Sequence, residues 1–430
     1  MSAPAHLDDR LLAEVARRRE EIVALTQDLI RFPTLNPPGG GYRAICDFLA
    51  ARLTRAGFAC EMLRAEGTPG DSERYPRWNL VARRQGARPG PCVHFNGHTD
   101  VVEVGHGWTV DPFGAERREG RIYGRGACDM KGGIAAAVVA TEAFLGVVPD
   151  FAGSIEVSAT ADEESGGYGG VAWLAERGYF SPDRVDHVII PEPLNKDRIC
   201  LGHRGVWWAE IETMGRIAHG SMPFLGDCAV RHMGAVLAEI ETVLLPALAG
   251  RRTAMPVVPD GARASTLNIN SIHGGAVEPE AGYTGLPAPC VPDRCRIVID
   301  RRFLIEEDIA QVKAEMLGLL ERLRAARPGF SFEVRDLFEV QPSMTAEDAP
   351  VVRAVSDAVA RVLGRGPEFV VSPGTYDQKH IDRIGRMKNC IAYGPGILDL
   401  AHQPDEWVGE DDLLDSAGVM ALALARLLVG

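Results

Sequence analysis

PCVHFNGH (residues 91–98), SIEVSATADEE (154–164) and DHVIIPEP (186–193) contain three short apolar runs that have the length of strands. The segments between them, MKGGIAAAVVATEAFLG (130–146) and GGVAWLAERGY (169–179), are helix-like. Short apolar runs that alternate with helical segments indicate βαβ units. We therefore predict an α/β fold with a mostly parallel central sheet.

A change of pattern after residue 205 indicates a second domain. VWWAEIETMG (206–215) alternates apolar and polar residues as a half-buried strand does, and a helix is predicted around residues 228–245. Two further strands, a long helix and a closing strand are predicted at 265–272, 295–305, 306–327 and 330–340. We predict a catalytic domain of residues 1–205 and 340–430, with an inserted α+β domain at 206–339.

The bulk composition is that of an ordinary globular enzyme. The 430 residues are 46% hydrophobic and 24% charged, with a formal net charge of −13. Negative charge repels phosphate backbones, so nucleic acid is not an expected partner. No apolar run approaches the roughly 18 residues of a membrane span, the N-terminus is charged, and the nine scattered cysteines include no CxxC pair. We expect a cytoplasmic protein without disulfides or a membrane partner.

The first candidate ligand is His98, at the end of the apolar run 91–98. Ligands of open α/β sheets gather at the carboxyl ends of strands, and an imidazole there is able to bind metal. Asp100 projects from the same side and is placed to accept a hydrogen bond from the other ring nitrogen. A satisfied loop histidine beside a solvated acid is the simpler explanation of this pair alone.

The second candidate is Asp129, which four glycines surround in GRGACDMKGG (124–133). Glycines let the backbone approach a ligand closely, and an acid in that position is able to present its two oxygens to two cations. An aspartate before an apolar helix is also a good N-cap. The residues themselves leave both interpretations open.

Further acids follow the next two strands. Glu163 and Glu164 come directly after one strand, and Glu192 lies between two prolines after the other. One of two adjacent carboxylates is able to bind a cation while its neighbour transfers a proton. An acidic surface turn is the alternative, and His402 in LAHQPDEW (400–407) is uninformative by itself. Because successive strand ends converge on one sheet edge, all these groups together predict a metal site. Imidazole and carboxylate ligands suit Zn²⁺, with Co²⁺ or Mn²⁺ as substitutes.

The motifs resemble those of the M20 metallopeptidase family, which includes acetylornithine deacetylase, succinyl-diaminopimelate desuccinylase, aminoacylase and glutamate carboxypeptidase. GHTDVV, GRGACDMKGG, ADEESGG, PEP and the late AH carry the resemblance, in the family's order and approximate spacing. It implies a zinc-exopeptidase-like domain that holds two Zn²⁺ ions per subunit. Asp129 would bridge the ions, His98 and Glu192 would complete one site, and Glu164 and His402 would complete the other.

The same resemblance implies roles for other residues. Glu163 would be the general base, and Asp100 would orient His98. The inserted segment would be a lid through which the chain forms a homodimer. His219, in GRIAHGS (215–221), matches a histidine that reaches the partner's active site and steadies the developing oxyanion. A routine polar loop residue is the alternative for His219.

Substrate contacts are also implied. Arg302, rather than Arg301, aligns better with an arginine that holds the substrate carboxylate, and a lid-surface salt bridge is its alternative role. Gly374 and Thr375 belong to the substrate loop, in which Tyr376 replaces the family's usual serine.

Two other departures are Pro289 and Cys228, at positions where many relatives have asparagine. They argue against copying the substrate of any one relative. The prediction is dizinc-dependent hydrolysis of the amide bond in an N-acyl amino acid or a related N-acylated amine, as in a deacetylase or desuccinylase. A dipeptidase or carboxypeptidase of the same family is one alternative, and a catalytically silent binding relative is the other.

Overall fold

A computed structural model describes residues 3–275, 285 and 289–429, with side chains described from residue 6. The chain forms two compact units. The first comprises Met1–Gly202, Met344–Val370 and Tyr376–Gly430, and the second comprises His203–Ser343 and Val371–Thr375. The predicted insert, 206–339, falls inside the second unit, but its residues 276–284 and 286–288 lie outside the described residues.

Strands and helices are numbered in chain order. The strands are β1 (Ala59–Arg64), β2 (Trp78–Gln85), β3 (Arg88–His98), β4 (Glu116–Arg118), β5 (Arg121–Tyr123), β6 (Ala152–Thr160), β7 (His187–Ile190), β8 (Arg198–His203), β9 (Gly205–Met214), β10 (Thr266–Gly274), β11 (Arg294–Phe303), β12 (Ser331–Val340), β13 (Ser343–Met344), β14 (Glu368–Ser372), β15 (Cys390–Ala392) and β16 (Trp407–Gly409). The helices are α1 (Ala3–Arg17), α2 (Arg19–Ile30), α3 (Tyr42–Arg55), α4 (Gly132–Val147), α5 (Trp173–Glu176), α6 (Ala229–Glu239), α7 (Leu245–Ala249), α8 (Ile309–Ala326), α9 (Pro350–Leu363), α10 (Gln378–Arg383) and α11 (Glu410–Leu428).

The central sheet of the first unit is parallel in its middle and antiparallel at its margins. β6, β3, β7 and β15 lie side by side and run parallel. β2 and β1 extend the sheet beyond β6, and β8 pairs with β15, in each case antiparallel. His98 pairs with Thr160, and Phe95 pairs with Ile189. The predicted α/β fold is confirmed, and this register brings the carboxyl ends of β3, β6 and β7 to one edge.

Helix α4 is apolar on all sides because it lies in the core of the first unit, where it packs against α1, α2 and α11. Two helical stretches, Ala127–Val147 and Ala229–Ala249, are long and apolar enough by composition to cross a membrane. In the first, 78% of the apolar window is buried inside the protein, and in the second 33%. All nine cysteines lie in the described residues, and none of them forms a disulfide. The cytoplasmic location stays a prediction.

The second unit has an antiparallel sheet in the order β10-β11-β9-β12. Buried residues alternate with accessible ones along β9 and β11, as in a sheet with one face on a core. Helices α6 and α8 contribute to that core through residues such as Met233 and Leu320. The Asp308 side chain caps α8 by accepting hydrogen bonds from the N–H groups of Ala310 and Gln311.

Candidate metal centre

His98 is the last residue of β3 and is almost completely buried. Its Nε2 atom lies 3.0 Å from Asp129 Oδ1 and 3.7 Å from Glu192 Oε1. Glu192 follows β7 by two residues, so the parallel pairing of β3 and β7 places the two side chains at the same edge.

Asp129 lies in the turn Ala127–Lys131, where its φ of −116° and ψ of 98° interrupt the helical backbone. The N-cap of α4 is Lys131, so Asp129 does not cap that helix. Its carboxylate instead faces two histidines, because Oδ2 lies 3.5 Å from His402 Nε2 while Oδ1 faces His98. The structure therefore does not support the helix-cap interpretation of Asp129, and its role as a metal ligand stays a prediction.

The glycine at 133 allows this approach. A Cβ atom on Gly133 would lie 1.9 Å from the carbonyl oxygen of Pro191, well inside van der Waals contact. Only glycine therefore lets the start of α4 pass so close to the strand end that carries Glu192.

The site has two halves that share Asp129. In one half, His98 Nε2 lies near both Asp129 Oδ1 and Glu192 Oε1. In the other, His402 Nε2 lies near Oδ2 and 3.1 Å from Glu164 Oε1. Ligand atoms of His98, Asp129 and Glu164 also lie within 4.8 Å of one another. The five residues predicted as metal ligands are thus brought together, in the pairs that the family resemblance implied.

Asp100 contacts both His98 and the turn that contains Glu163 and Glu164. The His98 Nδ1 atom lies 3.1 Å from the backbone carbonyl oxygen of Asp100 and 3.4 Å from its carboxylate. The carboxylate also accepts hydrogen bonds from the backbone N–H groups of Glu163 and Glu164, at 3.2 and 3.1 Å, and from Asn36. Asp100 therefore joins the end of β3 to the turn that follows β6.

The pKa values of the histidines and of two glutamates in this site are raised, as is expected where buried carboxylates outnumber cations. Burial opposes protonation of His98, but its hydrogen bonds to acids raise its pKa well above the usual value. Hydrogen bonds to Asp129 and Glu164 raise the pKa of His402 to about 10. Burial and the nearby Asp129 raise the pKa of Glu164 to about 7 and also raise that of Glu192. Crowded buried carboxylates with two imidazoles form a donor set that fits divalent cations.

Comparisons with known proteins identify the family of this chain. Residues 94–426 match the family described as peptidase family M20/M25/M40. The chain is 33% identical over 418 residues to a succinyl-diaminopimelate desuccinylase of Stenotrophomonas maltophilia (strain K279a), covering 95% of this chain and 99% of that protein. The chain belongs to the M20 family. It is therefore a hydrolase that acts on amide bonds, as predicted.

Solved structures share the fold of this M20 hydrolase. Human carnosine dipeptidase 1 superposes with a TM-score of 0.74 at 19% identity, over 98% of both chains. The Bacillus subtilis YXEP protein, described as a dinuclear metal-binding M20 peptidase, gives 0.66 at 16% identity, over 96% of this chain and 99% of that chain. These likenesses support the predicted fold class.

Several groups in the site of the M20 hydrolase were missed by sequence reasoning. Lys379 donates a hydrogen bond of 2.7 Å to Glu163 Oε1. The Asp377 carboxylate accepts a hydrogen bond from Asn96. Burial, and after it the negative charge of Glu163, raises the pKa of Asp377 to about 7. Asn96 precedes His98 by two residues on β3, so strand alternation could have placed it on the same face. Lys379 and Asp377 had no comparable local signal.

The other predicted residues of the M20 hydrolase lie in the second unit. His219 is exposed, and its Nδ1 atom contacts Ser221. Arg302 makes a two-point ion pair with Asp300, so the salt bridge named as its alternative role is present. Arg301 is buried against Glu307. The roles of His219 and Arg302 stay predictions.

Two residues of the predicted substrate loop, Gly374 and Thr375, also belong to the second unit. The Gly374 N–H donates to Ser372 Oγ at 3.2 Å. In the first unit, Tyr376 is buried and its hydroxyl donates to Gln378. The tyrosine that replaces the family's usual serine is thus buried in the interior of the first unit. The substrate role of Gly374 and Thr375 stays a prediction.

Proposed function

We propose that this M20 hydrolase is a metal-dependent deacylase that releases a short carboxylic acid, such as succinate, from the nitrogen of an amino acid. The observation that carries the proposal is the shared carboxylate of Asp129, which faces a histidine on each side. The desuccinylase named above supports the acyl class because it matches almost the whole chain.

We assign two Zn²⁺ ions to the two halves of the site. His98 and Glu192 would hold one ion, His402 and Glu164 the other, and Asp129 would bridge them. Zinc bound there would acidify water toward neutrality and polarise the amide carbonyl. The excess of buried carboxylates supports this assignment, and Co²⁺ or Mn²⁺ is expected to substitute.

Glu163 is the proposed general base. One of its oxygens is engaged by Lys379, and no described residue donates to Oε2. That oxygen is therefore available to take a proton from the attacking water and to return it to the leaving nitrogen. Asp100 holds the backbone of Glu163 through its N–H, which keeps the carboxylate at the site.

The second unit is proposed to act as a lid and as the surface of a homodimer, with His219 supplied to the partner's site. An exposed apolar segment supports this assembly. It contains Ile217, Met222, Phe224, Leu225 and Val230, of which Phe224 is 77% exposed. Light scattering on the purified protein at micromolar concentration tests it, because Phe224→Asp should convert a dimer into a monomer.

The substrate class is tested by a screen of the zinc-loaded enzyme. N-succinyl, N-acetyl, N-formyl and N-carbamoyl amino acids would be compared with dipeptides by kcat/KM. N-succinyl substrates should exceed dipeptides by at least about tenfold in kcat/KM. Glu163→Gln should lower the turnover of all of them by about 100- to 10,000-fold, the contribution of a general base. Preference for dipeptides would favour the dipeptidase alternative. No turnover by metal-replete enzyme would favour a silent binding relative.

A further inference from the structure

The neighbouring glutamates Glu163 and Glu164 follow the same strand but make different contacts. Glu164 Oε1 lies beside His402, whereas Glu163 Oε1 accepts the hydrogen bond from Lys379. Adjacent acids on a short turn have the same chemistry, and either is able to bind a cation. The partners of the two side chains, which lie outside the turn, are what differs between them.

Lys379 is the group that distinguishes them. It lies in the first turn of α10, and its side chain is 2% exposed. Its Nζ atom lies 2.7 Å from Glu163, and this is the one carboxylate within ion-pair distance of it among the described residues. A buried ammonium without a partner is strongly unfavourable. The ion pair therefore restrains the side chains of both Lys379 and Glu163.

The position of Lys379 is itself fixed by its surroundings. Its backbone N–H donates to the carbonyl oxygen of Tyr376. The preceding Asp377 is anchored by the Asn96 side chain on β3 at 2.8 Å. The ammonium therefore approaches Glu163 from a rigid support that includes the strand carrying His98.

We propose that Lys379 is a positioning residue that keeps Glu163 out of the metal ligand set and leaves Glu163 Oε2 free to accept a proton. This inference rests on the proposed function. It goes beyond that function by naming what separates the base from its neighbouring ligand. A buried ion pair that serves stability alone is the competing explanation.

The two explanations differ in kinetics. Lys379→Met should lower kcat on the best substrate of the screen by about 100-fold, the scale of a misplaced general base. KM should stay within threefold, and Lys379→Arg should recover most of kcat because it restores the cation. In a Glu163→Gln background, Lys379→Met should change the residual rate by less than threefold. Equal losses of kcat in both backgrounds would overturn the proposal.

A spectroscopic measurement separates this proposal from the proposed function, because it needs no substrate. In cobalt-loaded protein, Lys379→Met should change the visible absorption spectrum as Glu163 enters the coordination shell. The double variant Lys379→Met/Glu163→Ala should have the spectrum of Glu163→Ala alone. An unchanged spectrum in Lys379→Met would overturn the proposal even if the wild-type enzyme proved inactive on every substrate tested.

The matched control is Lys388→Met. Lys388 is a lysine of the same region that pairs with Asp382 and is largely exposed. Its replacement should change neither kcat nor the cobalt spectrum. If Lys379→Met fails to fold, Lys379→Gln is measured in the same way, and a cobalt spectrum identical to that of the wild type would overturn the proposal.

Discussion

Arg125 and Glu406 form a buried ion pair, with Nη1 and Oε2 2.6 Å apart, although 281 positions separate them in the chain. The other oxygen of Glu406 accepts hydrogen bonds from the backbone N–H groups of Cys128 and Asp129, at 2.8 and 3.0 Å. Arg125 also donates to the carbonyl oxygen of His402. This pair therefore connects the turn of Asp129 to the loop of His402, and so the two halves of the candidate metal centre.

Glu406→Gln should weaken both stability and metal binding. Arg125 would face a neutral amide in a buried site, and breaking such a pair costs about 3–5 kcal/mol in the free energy of unfolding. Zinc affinity should fall about 10- to 100-fold, as is usual when the support of a ligand is lost. Denaturant titration and competition with a chelator measure the two effects.

The control for Glu406 is Asp28→Asn, which removes an exposed pair with Arg31. Exposed pairs contribute about 0–1 kcal/mol, so stability should change little. Wild-type zinc affinity in a folded Glu406→Gln protein would show that the pair does not support the ligands.

Replacing one histidine should empty one half of the site. His402→Ala and His98→Ala should each reduce bound zinc from two ions per chain to about one, because each half loses its imidazole while Asp129 remains. Elemental analysis after gel filtration measures this stoichiometry. His219→Ala is the control, since His219 is exposed in the second unit. Two ions retained in His402→Ala would remove that histidine from the ligand set.

Zinc binding should release protons. The pKa of His402 is raised to about 10 by Asp129 and Glu164, so the metal-free imidazole is protonated at pH 7. A metal ligand must be neutral imidazole, so binding displaces that proton, and zinc affinity should rise with pH from about 6 to 8. Calorimetry in two buffers of different ionisation enthalpy counts the protons. His402→Ala should release fewer, and a wild-type count of zero would contradict the assignment.

Two glycines of α4 should respond in opposite ways to alanine. At Gly133 the new Cβ would lie 1.9 Å from the Pro191 carbonyl oxygen, and the overpacking should cost about 1–3 kcal/mol of stability and displace Glu192. At Gly146 the nearest atom is 3.8 Å away, so alanine should add about 0.5 kcal/mol through helix propensity. Thermal unfolding compares them, and a tolerated Gly133→Ala would contradict the close approach.

Much of the fold, and the grouping of the candidate ligands at one sheet edge, could be predicted because the relevant signals are local. His98 ends one strand-length run, and Glu163 and Glu192 follow two others within three residues, which indicates the edge at which the parallel strands converge. The glycines around Asp129 predicted an unusual backbone, and the φ and ψ angles of Asp129 are indeed non-helical within its turn. The antiparallel margins of the sheet were not predicted, since β1 (ACEMLR) and β2 (WNLVARRQ) contain polar and charged residues and lack the strand-length apolar runs of the central strands.

The sequence by itself determined the donor types of the site and the strand ends that carry most of them, because periodicity and strand order are properties of neighbouring residues. Only the tertiary structure decided that Lys379 engages Glu163, that Glu406 holds the turn of Asp129, and that Asn36 supports Asp100. These contacts join residues at least 64 positions apart. Long-range hydrogen bonds and ion pairs leave no periodic pattern in the chain, because chain folding alone brings their partners together.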